Sequence, residues 1–327
     1  MYNIIAIGDA LIDTHVKIDN ASVHCNLDGK NCKLCMDYAS KIPITDSFQS
    51  LGGNGANMAA GSSKLGLNTA IVASLGKDSN AEIIMDEMKK LNIDTGMISR
   101  DGRAKTRYSI VLNFQGERTI LSYHQKRKYV WPKNMPATDW IYFTGLSEGF
   151  EVLQDQLMGY LAKHPTVRMA YNPGSFQLKH AMNRVHEAAE KADVLIVNLE
   201  EAEQILGTTI KKEKTAMALI HELLTEGVKE VVITDGQHGA WAGNDEEIWY
   251  MEPYPVQVVA KTGAGDAFSS GYVSAKCLGH GIKEALTWGT ANSCGVIQEF
   301  GAQKGLLDQK TIKKIAKQYP PITARRV

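Results

Sequence analysis

Six short apolar runs, each about the length of a buried strand, recur along the chain with helix-forming segments between them, at residues 4–7, 70–73, 140–143, 167–171, 194–197 and 231–234. Uninterrupted apolar runs suit strands covered on both faces, and strands joined by helical crossovers run parallel. The pattern predicts an α/β fold of three layers, with a mostly parallel central sheet and helices on both of its faces. Two stretches break the rhythm. Residues 107–113 and 118–123 alternate around the turn-forming Gln115-Gly116, and residues 14–50 hold no convincing long helix. Both stretches predict antiparallel strands forming a flap. No repeat, low-complexity tract or flexible linker divides the chain. The expected organisation is one core of residues 1–13, 51–106 and 124–327, with a small β lid of residues 14–50 and 107–123 inserted into it.

Composition narrows the function. The 36 Lys and Arg residues equal the 36 Asp and Glu residues, so no global basic field attracts a polyanion, and nucleic acid is not an expected partner. No run approaches ~18 apolar residues, and the start MYNIIAIGDALID lacks the charged and apolar regions of a secretory signal. No membrane span is expected, and the default is a cytoplasmic protein. Five cysteines in 327 residues form an odd set in a chain long enough to need no covalent staples, which favours a reducing compartment.

The common phosphate fingerprints are missing. There is no G-x-x-x-x-G-K-[ST], and Gly53-Asn54-Gly55 is followed by Met58 where a dinucleotide fingerprint needs glycine. What remains is Lys261-Thr262-Gly263-Ala264-Gly265-Asp266, between the extended residues 256–260 and the helix-forming residues 267–278. Two glycines at a strand-to-helix junction let a ligand approach the backbone, and the unpaired first-turn amides with the helix dipole behind them make an anion site. Helix capping by Thr262 and Asp266 explains the same residues locally.

Distant motifs weigh on that choice. Thr262-Gly263-Ala264-Gly265-Asp266-Ala267-Phe268 resembles the C-terminal signature of the ribokinase-like (PfkB) family, and Gly52-Gly53-Asn54-Gly55-Ala56-Asn57 its N-terminal signature. Between them, Asn198-Leu199-Glu200-Glu201 resembles the family's N-x-x-E, Gly116-Glu117-Arg118-Thr119 its lid hairpin, and Gly76-Lys77-Asp78 the opening of its second helix. The resemblance implies an ATP-dependent kinase acting on a hydroxyl of a sugar or nucleoside. It implies that Asp266 is the base, that the Gly263, Ala264 and Gly265 amides form an anion hole, and that Glu201 organises Mg²⁺ through water with Asn198 near the phosphates. Thr234 and Gly236 match the nucleotide-side turn, and Asn292 falls where the family closes over adenine. On the acceptor side it implies a polar pocket of Asp13, Gly53, Asn54 and Asn57. Local readings stand beside these: Asn198 and Glu201 have capping-box spacing, Asp13 suits a loop hydrogen bond, and Asn57 starts a helix.

Three features depart from the family. Ala260 and Lys261 replace an Asp-Thr pair whose aspartate helps bind K⁺ in cation-activated members, so K⁺ activation is expected to be weak or absent. In the lid, Cys32-x-x-Cys35 has the spacing of a zinc knuckle, with Cys25 as a third thiolate and His24 or His15 as a fourth ligand. The alternatives are reduced cysteines packing the lid, or one labile disulfide. Lys126-Arg127-Lys128 offers a contact to a phosphate on the acceptor, or a solvated turn. The rival functions are therefore a phosphosugar kinase, and a noncatalytic sugar- or nucleotide-binding regulator on the same fold. A homodimer through the lid is expected from the resemblance.

Overall fold

The computed structural model describes residues 1–26, 32–115, 117–123, 125–207 and 215–327. Residues 27–31, between Cys25 and Cys32, and the glycine of the Gln115-Gly116 turn, lie outside the described residues. All six apolar runs are strands of one sheet, which has ten strands among the described residues. Its central strands run parallel, in the order Val231–Thr234, Val194–Asn198, Arg168–Asn172, Thr138–Thr144, Tyr2–Ile7 and Thr69–Val72. Beyond Val231–Thr234 the sheet continues antiparallel through Ala240–Gly243 and Ile248–Met251.

Alternate residues of each strand feed opposite cores. Ile4, Ala6, Trp140 and Tyr142 pack into a cluster with helices Asn54–Lys64, Ser79–Lys90, Ala264–Cys277 and Ile282–Val296. Ile5, Ile7, Ile141 and Phe143 pack into a second with Glu151–Lys163, Met182–Lys191 and Ala216–Thr225. This is the three-layer arrangement that the apolar runs require, since each strand must be covered on both sides.

A separate four-stranded sheet, built from the segments expected to form the lid, is ordered Glu117–Tyr123, Tyr108–Phe114, Leu11–Ile18, Ile44–Gly52. Its outer pairs are antiparallel, but the central pair, Leu11–Ile18 with Tyr108–Phe114, is parallel. The expectation of a wholly antiparallel flap is corrected here. The two halves of the lid come from chain segments far apart in sequence, so no turn dictates how they meet. A small hairpin, Ser22–Cys25 with Cys32–Cys35, projects from the lid. Cys25 and Cys32 are joined across it in a disulfide, and Cys35 is exposed and unbridged. That bond takes two of the three thiolates wanted for zinc, and no cluster of three metal-ligating side chains occurs among the described residues. The zinc set of Cys25, Cys32 and Cys35 is therefore not formed.

Candidate active site

A cavity of about 200 Å³ opens at the C-terminal ends of the parallel strands, lined by Asn172, Asn198, Thr234 and the start of helix Ala264–Cys277. Such strand ends are where open α/β sheets place their sites. Gly263 caps that helix at φ 78°, and a methyl group there would strike Ala302, so both backbone and packing require glycine. The next residues, Ala264, Gly265 and Asp266, form the first helical turn, whose amides have no acceptor within the helix. Above Gly265 the space is open. Ala264 N reaches the Lys261 carbonyl at 3.4 Å, yet positive dipole, first-turn amides and room for a ligand coincide at one point, which is what binding a phosphoryl group requires.

Asp266 lines the same cavity. Its carboxyl is pushed up to about 6 by burial, against a hydrogen bond from Asn57 that holds it down. Asn57 Nδ2 donates to Asp266 Oδ2 at 2.8 Å, and Gln303 Nε2 donates to Asn57 Oδ1 at 2.9 Å. The relay depends on close packing of helix Asn54–Lys64, whose side chains are mostly small. At Gly61 an added methyl would strike Ser270 Oγ on the helix that carries Asp266. Asn57, expected in the acceptor pocket, is thus bonded directly to the aspartate.

Asn198 and Glu201 both line the cavity and also form a reciprocal cap. Glu201 N donates to Asn198 Oδ1 at 2.8 Å, and Asn198 N to Glu201 Oε2 at 2.9 Å. Burial and the facing Asp266 push the Glu201 carboxyl up, the Asn198 amide opposing them. The two carboxylates, Asp266 raising Glu201, with amide oxygens alongside, form a hard oxygen donor set that suits Mg²⁺. Lys261 adds a cation at the rim.

The remaining residues fall in different places. Gly53, at φ 95°, turns the chain from the lid into helix Asn54–Lys64, where a side chain would strike the Asp9 carbonyl. Asn54 lines the cavity. Asp13 lies on the lid strand, its carboxyl raised by burial and held down by Ser109 and Arg118. Thr234 lines the cavity, whereas Gly236 opens the turn beyond it. Asn292 is buried in the core, donating to the Ala267 carbonyl at 2.8 Å and accepting from Leu307 N at 2.9 Å. Its amide is committed to the protein rather than facing the cavity, which corrects its expected place over adenine. Two residues of the basic triplet are likewise occupied. Arg127 is buried and donates to the Ser74 and Lys105 carbonyls, while Lys126 pairs with Glu148.

Asn172, Ser269 and Gln303 belong to no motif of the sequence. A polar residue at the end of an apolar strand is a signal for Asn172, and three-residue spacing from Asp266 on one helix is a signal for Ser269. Nothing local marks Gln303.

The profile of the pfkB family carbohydrate kinases matches residues 15–309. A ribokinase of Staphylococcus aureus is 27% identical over 265 residues, covering 78% of this chain and 84% of that protein. An ATP-dependent 6-phosphofructokinase of Thermoanaerobacterium thermosaccharolyticum is 25% identical over 347 residues, covering 96% and 94%. The structure of Arabidopsis thaliana ribokinase complexed with ribose and ATP superimposes with a TM-score of 0.78 at 20% identity, covering 97% and 99%, which shows a shared fold. The chain belongs to the pfkB family of carbohydrate kinases and is a phosphotransferase with a hydroxyl acceptor.

Proposed function

We propose that this chain transfers the γ-phosphoryl group of ATP to a hydroxyl of a sugar or nucleoside, with Asp266 as the base and the amides of Gly263, Ala264 and Gly265 as the anion hole. The observation that carries this reading is the meeting, in one cavity, of a carboxylate raised to about 6 and the open first turn of a helix. The acceptor oxygen forms a bond to the γ-phosphorus as the bond to the β-phosphate oxygen breaks. ADP leaves, and the hydroxyl proton passes to Asp266. Phosphoryl transfer has a loose transition state, so the base orients the hydroxyl and takes its proton late, while fixed dipoles hold the charge on the equatorial oxygens. Glu201 and Asn198 would hold Mg²⁺, through water at the carboxylate, and the ion would neutralise phosphate charge. Asp13 on the lid suits a pair of acceptor hydroxyls, and the lid keeps water from the phosphate. A dimer through the lid belongs to the same reading.

Asp266→Asn is expected to lower kcat by roughly 10³-fold while ATP binding, followed by titration calorimetry, stays within a few fold. Turnover at the wild-type rate would remove Asp266 as the base.

A further inference from the structure

Strand register orders the lid face that carries Asp13 into rows. Asp13 is opposite Ser50 and Ser109, His15 is opposite Phe48 and Val111, and Lys17 is opposite Asp46 and Asn113. Directly opposed residues project to the same side, so a polar row beside the glycine turn is followed by an apolar row and then by a second polar row. A cavity of about 260 Å³ lies over the last two rows, walled by His15, Lys17, Asp46 and Phe48 from the lid and by Val259 and Phe300 from the core. One core loop links it to the base. Gly301 lies against Ser50 in the Asp13 row, Phe300 walls the cavity, and Gln303 starts the relay to Asp266.

The lining describes its occupant. The His15 and Phe48 rings are parallel within 4°, with centroids 4.4 Å apart, and a third flat ring would extend the stack. Phe48 and Phe300 remain 38% and 52% exposed, large apolar surfaces left for something to cover. His15 is 3% exposed, and its Nδ1 is buried without a hydrogen-bond partner, although Nε2 lies 3.3 Å from Ser50 Oγ. The orphaned nitrogen belongs to a residue that lines a ligand-sized cavity, and an unpaired buried nitrogen calls for a partner. Burial and Arg118 both push the His15 pKa down, which favours the neutral ring. Asn113 spends its Nδ2 on the Val16 and Val111 carbonyls, which leaves its side-chain oxygen for another donor.

Charge weighs against a phosphorylated acceptor. Lys17 is opposite Asp46, and Arg118, on the same face, lowers the Asp13 carboxyl. Of the nearby basic triplet, Arg127 and Lys126 are bonded elsewhere. A phosphate here would meet Asp46.

We propose that this cavity seats the base of a nucleoside acceptor, whose ribose hydroxyls lie at Asp13 and whose reacting hydroxyl faces Asp266. This rests on the kinase reading above and adds the acceptor class. ADP release with ATP and Mg²⁺ would be measured for adenosine, inosine, cytidine and uridine against ribose, fructose and ribose 5-phosphate. At least one nucleoside is expected to exceed every free or phosphorylated sugar in kcat/KM by about 100-fold, the scale of burying one aromatic ring. In Phe300→Ala, altered at an exposed ring, and in His15→Leu with its melting temperature checked, KM for that nucleoside should rise roughly tenfold, the scale of one hydrogen bond or stacking contact. In both variants kcat should stay within about twofold of the wild type. A sugar or sugar phosphate used as well as any nucleoside overturns the proposal and leaves the kinase reading standing. So does an unchanged nucleoside KM in both variants. ADP release with none of the seven compounds also overturns it, and the kinase reading is then judged separately on a wider sugar panel and Asp266→Asn.

Discussion

At the scale of single residues, the proposed chemistry depends on how Asp266 is held. Burial raises its carboxyl to about 6, and the Asn57 amide, donating to the charged form, keeps it from rising farther. The acidic limb of the kcat/KM profile is therefore expected near pH 6. In Asn57→Ala the limb should move to higher pH, because the carboxylate loses its donor. In Gln303→Ala it should move the same way by less, since Gln303 only orients Asn57. Initial rates from pH 5 to pH 9 measure this, and a limb unmoved in Asn57→Ala would show that the hydrogen bond does not set the titration. Stability carries the opposite sign. The folded pKa lies above the ordinary 3.8, so stability associated with this group is fully present below about pH 4 and is lost as pH rises through about 6. Asp266→Asn should accordingly melt higher than the wild type at pH 8, with the difference closing toward pH 4.

At the scale of elements, the lid is pinned to the core by one buried ion pair. Arg107, at the foot of lid strand Tyr108–Phe114, bonds Asp9, which joins core strand Tyr2–Ile7 to lid strand Leu11–Ile18. Both side chains are buried, and Tyr129 Oη donates to the same carboxylate at 3.1 Å. Removing one partner strands a buried charge, so Asp9→Ala is expected to cost about 3–5 kcal/mol in urea unfolding. A loss below about 1 kcal/mol would mean that Arg107 finds water or another acceptor. The elements also differ in how far the sequence announces them. The parallel strands are legible because burial on both faces forces uninterrupted apolar runs, as in residues 194–197. The glycine turn at Gly263 is legible because its backbone geometry excludes other residues. The parallel pairing within the lid is not, because Leu11–Ile18 and Tyr108–Phe114 meet only through tertiary packing. Asn57 reads as an acceptor ligand until helix packing brings it to an aspartate 209 positions away. Arg127 reads as a surface cation because nothing next to it in sequence reveals the carbonyls of Ser74 and Lys105.

At the scale of the whole molecule, the lid sheet is open at both edges among the described residues. Strands Ile44–Gly52 and Glu117–Tyr123 are exposed along most of their length. On the face opposite the Asp13 row, Ile44 and Leu121 are 56% and 52% exposed. Unpaired edges flanking an apolar surface favour pairing with another chain, and a two-fold partner of identical sequence covers both copies at once. Sedimentation velocity at micromolar concentration is expected to show a dimer, and the double variant Ile44→Lys, Leu121→Lys a monomer, since two charges per chain would be placed at the buried surface. A monomeric wild type would assign those apolar residues to some other contact. The consequence reaches the site through the sheet itself. The same four strands carry the outer surface on one side and the Asp13, His15 and Lys17 rows on the other, so a partner that stiffens the sheet also preorganises the proposed acceptor pocket. The monomeric variant should then show an acceptor KM raised several fold with ATP affinity unchanged, because the phosphate cavity is built from the core strands and the helix Ala264–Cys277 and owes nothing to the lid sheet.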